Sequence, residues 1–182
     1  MTREEALKLV ERKISNVNLR KHMLCTEACL AAFAPRFDSD PAVWGLAGLL
    51  HDVSYEEAEK AGDMMLHAEL GARIALENGL PEEAVHSIKA HAGGVPRNTS
   101  LDKILYAVDP LTGLIVAAAL MHPDRLRGLQ SSSVLKRFKD RRFAAGADRD
   151  QILTCTGLGF ELDEFISVCL EAMRGIRDEL DL

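Results

Sequence analysis

Six residues in this chain have metal-ligating side chains in settings that are costly for polar groups: His22, His51, Asp52, His67, His91 and Asp109. His51-Asp52 closes the run WGLAGLLHDV, whose residues are otherwise almost all apolar. An aspartate is seldom buried there unless it is paired or bound to a metal. Two readings stay open for Asp52. Either the helix stops and the carboxylate is solvated or caps the next turn, or it is buried with a partner. Helical spacing puts His22 on a stripe with Cys25, Cys29 and Ala32, and His67 on one with Leu70, Gly71 and Ile74. His91 lies on the inward face with Ala84 and Ile88. Any one of these histidines alone reads as a satisfied core residue. Three of them beside an inward His-Asp pair read as a cluster. His86 points about 140° away from His91, toward Glu82, Lys89 and Ala90 on a wet face. His122, before Pro123, reads as a surface residue at a helix end. Asp109 is an isolated carboxylate in ILYAVDPLTGLIVAAAL. With Pro110 next to it, Asp109 reads as the cap of a new helix, because proline inside a helix costs about 3 kcal/mol. A cap can still point at a site.

The elements that must position these residues are helical. Aromatic residues make up 5% of the chain, β-branched runs are few, and period-two alternation is rare. Thr2 and Glu5 form a capping-box pattern that opens a helix to about Asn16. A second helix is predicted from Leu19 to Ala34, before Pro35. Asp40-Pro41 caps a central apolar helix ending at His51-Asp52. Ser54 and Glu57 suggest another capping box. Further helices are predicted from Met64 to Asn78-Gly79, from Pro81 to Gly93-Gly94, and from a Ser100 cap onward. The last two cover 132–142 and 162–180. The expected fold is all-α: one compact bundle with a C-terminal helical extension.

The 182 residues are 47% apolar and 27% charged, which fits one folded domain and argues against wholesale disorder. The longest strongly apolar run, Leu114 to Met121, falls well short of the roughly 20 residues of a membrane span. The opening MTREEALKLVERK lacks the apolar centre of a signal peptide, so a cytoplasmic location and no membrane partner are expected. The formal charge of −6 and the sparse aromatics lead to the expectation of no nucleic-acid partner. Charge is uneven, however: residues 124–150 hold eight Lys/Arg against four Asp. The four cysteines, Cys25, Cys29, Cys155 and Cys169, form no CxxC pair and read as free buried thiols. The spacing of His22, Cys25 and Cys29 suits small core residues better than zinc ligands.

The order His22, His51-Asp52, Asp109 resembles the H…HD…D signature of the HD-domain superfamily of metal-dependent phosphohydrolases. GLAGLLHD resembles that superfamily's run into its dyad, and LHAELGA and IKAHAGG resemble the two extra histidine segments of its dinuclear members. The superfamily resemblance spans about 20–116, the expected metal-binding core, with the extension at about 124–182. NLRKHMLCTEA, LDKILYAVDPLTGLIVAAAL and SVLKRFKDRRFAAG extend it over nearly the full length, toward small predicted HD-superfamily hydrolases of bacteria and archaea. One departure is Pro110, where a small residue such as alanine is expected after the final Asp.

The resemblance implies that His22, His51, Asp52 and Asp109 hold a first metal. It implies that His67 and His91 hold a second, bridged by Asp52, with His51 and Asp52 at the catalytic centre. Imidazole and carboxylate donors suit Mn, Fe, Co, Ni or Zn, bound as one or two ions. The implied activity is metal-activated attack of water on the phosphorus of a small phosphorylated substrate, a nucleotide first among candidates. A ligand-sensing or partner-binding module with little catalysis is the alternative. Lys89, Thr112 and Lys136 are candidate substrate contacts. Lys89 also reads as a solvated side chain, Thr112 as a hydroxyl bonding back to its helix, and the basic stretch 136–142 as a solvated face.

Overall fold

The computed structural model describes all 182 residues: twelve α-helices, two short 3-10 turns and no strand. The helices are α1 (Arg3–Lys13), α2 (Val17–Phe33), α3 (Pro41–Leu50), α4 (Tyr55–Ala61), α5 (Leu66–Glu77) and α6 (Glu82–His91). They continue with α7 (Ser100–Leu120), α8 (Arg125–Gly128), α9 (Ser131–Lys139), α10 (Arg149–Leu153), α11 (Leu162–Gly175) and α12 (Arg177–Leu180). The all-α expectation holds.

Local side-chain caps open five of the twelve helices. Thr2 and Glu5 close a reciprocal capping box on α1. Asn16 accepts from the Asn18 and Leu19 amides to open α2, and Asp40 accepts from the Ala42 amide ahead of α3. The turn from α1 to α2 is tied from outside. Glu56 on α4 accepts the amides of Ser15 and Asn16 at 2.7 Å each, and the Ser15 hydroxyl at 2.7 Å. These bonds hold the Glu56 carboxyl down at about 2.

α2, α3 and α7 form the centre of the bundle. Phe33, Trp44, Leu50, Leu105, Val108, Leu111 and Ile115 are all buried in one continuous core. α3 lies directly on α2 at Gly48: a Cβ there would come within 2.8 Å of Thr26 and Glu27 backbone atoms. Only glycine permits that approach, and it brings the end of α3 up to His22. Cys25, Cys29, Cys155 and Cys169 are free and buried.

Four expectations change. Ser54 makes no capping bond for α4; its hydroxyl turns inward instead. Thr99, with Asp102, forms the capping box of α7, in place of Ser100. The predicted helix over 162–180 divides into α11 and α12. Asp109 caps nothing, because α7 continues through Pro110. A proline at that position removes the amide that would bond the carbonyl four residues back. That carbonyl belongs to Tyr106, and the Gln151 side chain on α10 donates to it at 2.8 Å. α7 is also long and apolar enough to cross a membrane by length and composition, beyond what its eight-residue run suggested. Here most of that stretch is buried against protein.

Candidate metal centre

Five helices deliver the six sequence-predicted residues to one place. α2 brings His22, the end of α3 brings His51 and Asp52, α5 brings His67, α6 ends on His91, and α7 brings Asp109. His22 Nε2 lies 3.1 Å from His51 Nε2 and 3.2 Å from Asp109 Oδ1. Asp52 divides its two oxygens. Oδ2 faces His51 at 3.4 Å and His22 at 3.7 Å. Oδ1 faces His67 at 3.1 Å and His91 at 3.5 Å. Two groups of donors result, His22–His51–Asp52 and Asp52–His67–His91, and each could hold a metal ion.

The donor chemistry of this cluster fits a cation. Each imidazole is anchored through Nδ1 by an acceptor. His51 Nδ1 donates to the Gly48 carbonyl at 2.7 Å, and His91 Nδ1 to the Ile88 carbonyl at 2.6 Å. The Thr112 hydroxyl donates to the Asp109 carbonyl, so it accepts from His22 Nδ1 at 2.9 Å. The Ser54 hydroxyl donates to the His67 carbonyl, so it accepts from His67 Nδ1 at 2.8 Å. The network therefore assigns the Nδ1–H tautomer to all four rings, leaving four Nε2 lone pairs turned toward two carboxylates. Lone pairs facing lone pairs are satisfied by a positive charge between them.

Electrostatics keep His51 and the two carboxylates in ligand form. Burial pushes the His51 imidazole down to about 4, so it is neutral at pH 7. Burial works to raise the Asp52 carboxyl, but His51, His67, His91 and His22 outweigh it and hold Asp52 well below the usual carboxylate range. Asp109 is likewise lowered: burial opposes, and the His22 hydrogen bond and charge prevail. Burial opposes protonation of His22 and His91, but Asp109 raises the first and Asp52 the second, so a proton on Nε2 competes with a cation for these two rings. A group of ionised acids this strong is what draws a cation in.

Two cavities meet at His22 and Gly113. One, about 370 Å³, is bounded by Asp109, Pro110 and the loop 144–147. The other, about 390 Å³, runs along α7 from Thr112 to Leu120, with Asn18 and Lys21 opposite. The three candidate substrate contacts are placed differently. Thr112 is buried behind His22, where its hydroxyl orients the ring. Lys89 is held by Glu69 at 2.6 Å and lines neither cavity. Lys136 lines a separate hollow with His122 and Arg137. His86 meets the buried Asp102 at 3.1 Å rather than standing free on a wet face. Sequence reasoning reads Ser54 only as a cap and does not single out Gln151. Both are hydroxyl or amide side chains whose partners lie far along the chain, and no spacing rule connects them.

An all-α bundle that gathers histidines and aspartates onto an inner metal-ligating cluster defines the class. Residues 19–114 match the HD domain family, more than half of the chain, and the chain belongs to that family. It is 29% identical over 138 residues to the ribonuclease Y of Desulfotalea psychrophila, covering 73% of this chain and 26% of that one. It is 32% identical over 99 residues to the ribonuclease Y of Nitratidesulfovibrio vulgaris, covering 53% and 18%. The ribonuclease Y of Acidothermus cellulolyticus is 29% identical over 96 residues. The chain thus spans about a quarter or less of the length of these relatives. No solved structure matches it.

These relatives overturn the expectation that nucleic acid is excluded, because they are ribonucleases sharing this domain. The physical error lies in averaging charge over the chain. Screening at ordinary salt confines surface charge effects to about 10 Å, so local clusters matter more than the net value. Of the eight cations in 124–150, only Arg141 and Arg142 pair with carboxylates.

Proposed function

We propose that this chain is a metal-dependent phosphohydrolase whose substrate is a nucleotide phosphoester or phosphoanhydride, with RNA phosphodiesters included by its relatives. The observation that carries the reading is Asp52, one carboxylate presenting one oxygen to each of two histidine pairs. His22, His51, Asp52 and Asp109 would hold one divalent ion, and His67 and His91 a second shared through Asp52. Mn, Fe, Co, Ni and Zn all suit this donor set. Ions held there supply the acidification of water and the neutralisation of phosphoryl charge that phosphate-ester hydrolysis needs.

The chain's own residues do the rest. The Gly48 and Ile88 carbonyls and the Ser54 and Thr112 hydroxyls lock the four rings before substrate arrives. Such preorganisation spares reorganisation in the reaction itself. His22 and Asp109 border the open cavity, so substrate enters from their side. The buried side of the cluster keeps water away from His51 and His91.

The test is metal analysis of the purified chain, followed by hydrolysis assays on bis(p-nitrophenyl) phosphate, nucleotides and an RNA oligonucleotide with Mn, Co, Ni or Zn. Two ions per chain and turnover are expected, and Asp52→Ala abolishes both. Full metal content in Asp52→Ala, or a loaded wild type inert on every substrate, overturns the assignment; the second result leaves a ligand-sensing module.

A further inference from the structure

Ala144, Ala145, Gly146 and Ala147 form the side of the cavity facing Asp109 and His22. The turn that carries them is built around Arg149, a side chain 5% exposed. Arg149 donates to main-chain carbonyls only: Ala144 and Ala147 at 2.6 Å each, Phe138 and Asp140 at 3.4 Å each, and Phe143. A buried cation held this way dictates the direction of those peptide dipoles. In a trans peptide the N–H runs antiparallel to the C=O of the same unit, and this chain has no cis peptide. The Phe143 and Ala144 carbonyls point at Arg149, so the N–H groups of Ala144 and Ala145 point away from it. Neither N–H finds an acceptor within the chain. Ala144 lies at φ +45°, in the left-handed region. Successive amides around such a residue make a concave surface that takes anions. Ala144 borders the cavity of the metal cluster and not the hollow on the Arg149 side of the loop, whereas Ala145 lines both.

We propose that the Ala144 and Ala145 amides form a cradle for a phosphoryl oxyanion of the substrate, across the cavity from His22 and Asp109, with Arg149 as its positioning residue. The inference rests on the phosphohydrolase reading and adds the wall that receives the phosphate. Methyl side chains add little bulk around these amides, and hydrogen bonds to a charged acceptor are about twice as strong as neutral ones.

The test is a titration of the full chain with inorganic phosphate, followed by backbone amide NMR shifts, once with zinc added and once with EDTA. Saturable downfield shifts of the Ala144 and Ala145 amides are expected in both arms. Arg149→Lys keeps the charge but loses the five-carbonyl fork, and is expected to weaken phosphate binding about tenfold, the worth of one charge-assisted hydrogen bond. Lys136→Gln, in a separate hollow, leaves binding unchanged. Phosphate that binds without moving these two amides, or that does not bind at all, overturns the cradle. Shifts at these amides in a protein that hydrolyses nothing keep the cradle and remove the phosphohydrolase. Hydrolysis with both amides unmoved does the reverse.

Discussion

The two halves of the metal cluster share one carboxylate and differ in their access to solvent. His22 and Asp109 keep 22% and 28% of their side chains exposed and border an open cavity, while His51 behind them is fully buried. His67 and His91 keep 7% and 5%. Both halves have Nδ1-anchored rings, so preorganisation is common to them and exposure is not. On the proposed phosphohydrolase reading, the difference would put the working surface on the His22–Asp109 side and a holding role on the His67–His91 side. The anchors match in kind: each half uses one backbone carbonyl and one hydroxyl, and the hydroxyls, Thr112 and Ser54, are the parts that mutation can remove cleanly.

Breaking the open half should do the most damage. Asp109→Ala is expected to lower kcat/KM by about 10³-fold or more, because several kcal/mol of charge stabilisation go with it. Metal content should fall by one ion per chain, measured by elemental analysis. His67→Ala breaks the holding half: the same loss of one ion is expected, with a smaller drop in kcat than Asp109→Ala. Equal losses of activity in the two variants would erase the distinction between the halves. Thr112→Val keeps shape and deletes the Nδ1 acceptor of His22. A fall in metal affinity of about 10- to 100-fold is expected by competition titration, as for other residues that orient a ligand. Away from the cluster, Gln151→Leu strips the Tyr106 carbonyl of its partner and should destabilise the chain by about 1–3 kcal/mol in urea unfolding.

The pH response of the fold sharpens a different contrast. The Glu56 carboxyl is lowered from 4.5 to about 2 by the Asn16 and Ser15 bonds. Its contribution is fully present above the unfolded value of about 4.3 and is lost as pH falls toward the folded one. Urea midpoints should therefore drop between pH 5 and pH 3, and Glu56→Gln should flatten that slope.

Much of the site could be read from the chain because its ligands interrupt apolar surroundings. A carboxylate at the end of GLAGLLHD or inside ILYAVDPLTG stands out against its neighbours, and helical phase separates His91 from His86. Local rules failed where a long-range contact outbid them. Ser54 has the spacing of a cap, but the His67 ring and carbonyl take its hydroxyl. Pro110 has the look of a helix start, and the helix survives because Gln151 fills the vacancy. His86 looks wet from the sequence because nothing near it in the chain shows Asp102 packed opposite. The direction of the loop around Arg149 was out of reach for the same reason: its five acceptors are peptide groups, which carry no signature in residue type.

The bond from Gln151 to Tyr106 fastens α10 to α7 less than one turn before Asp109. Arg149, two residues ahead of Gln151, gathers the loop on the far bank of the cavity. Both banks are thus lashed to a single short helix, and the gap between them is gauged by a side-chain amide standing in where proline left no hydrogen.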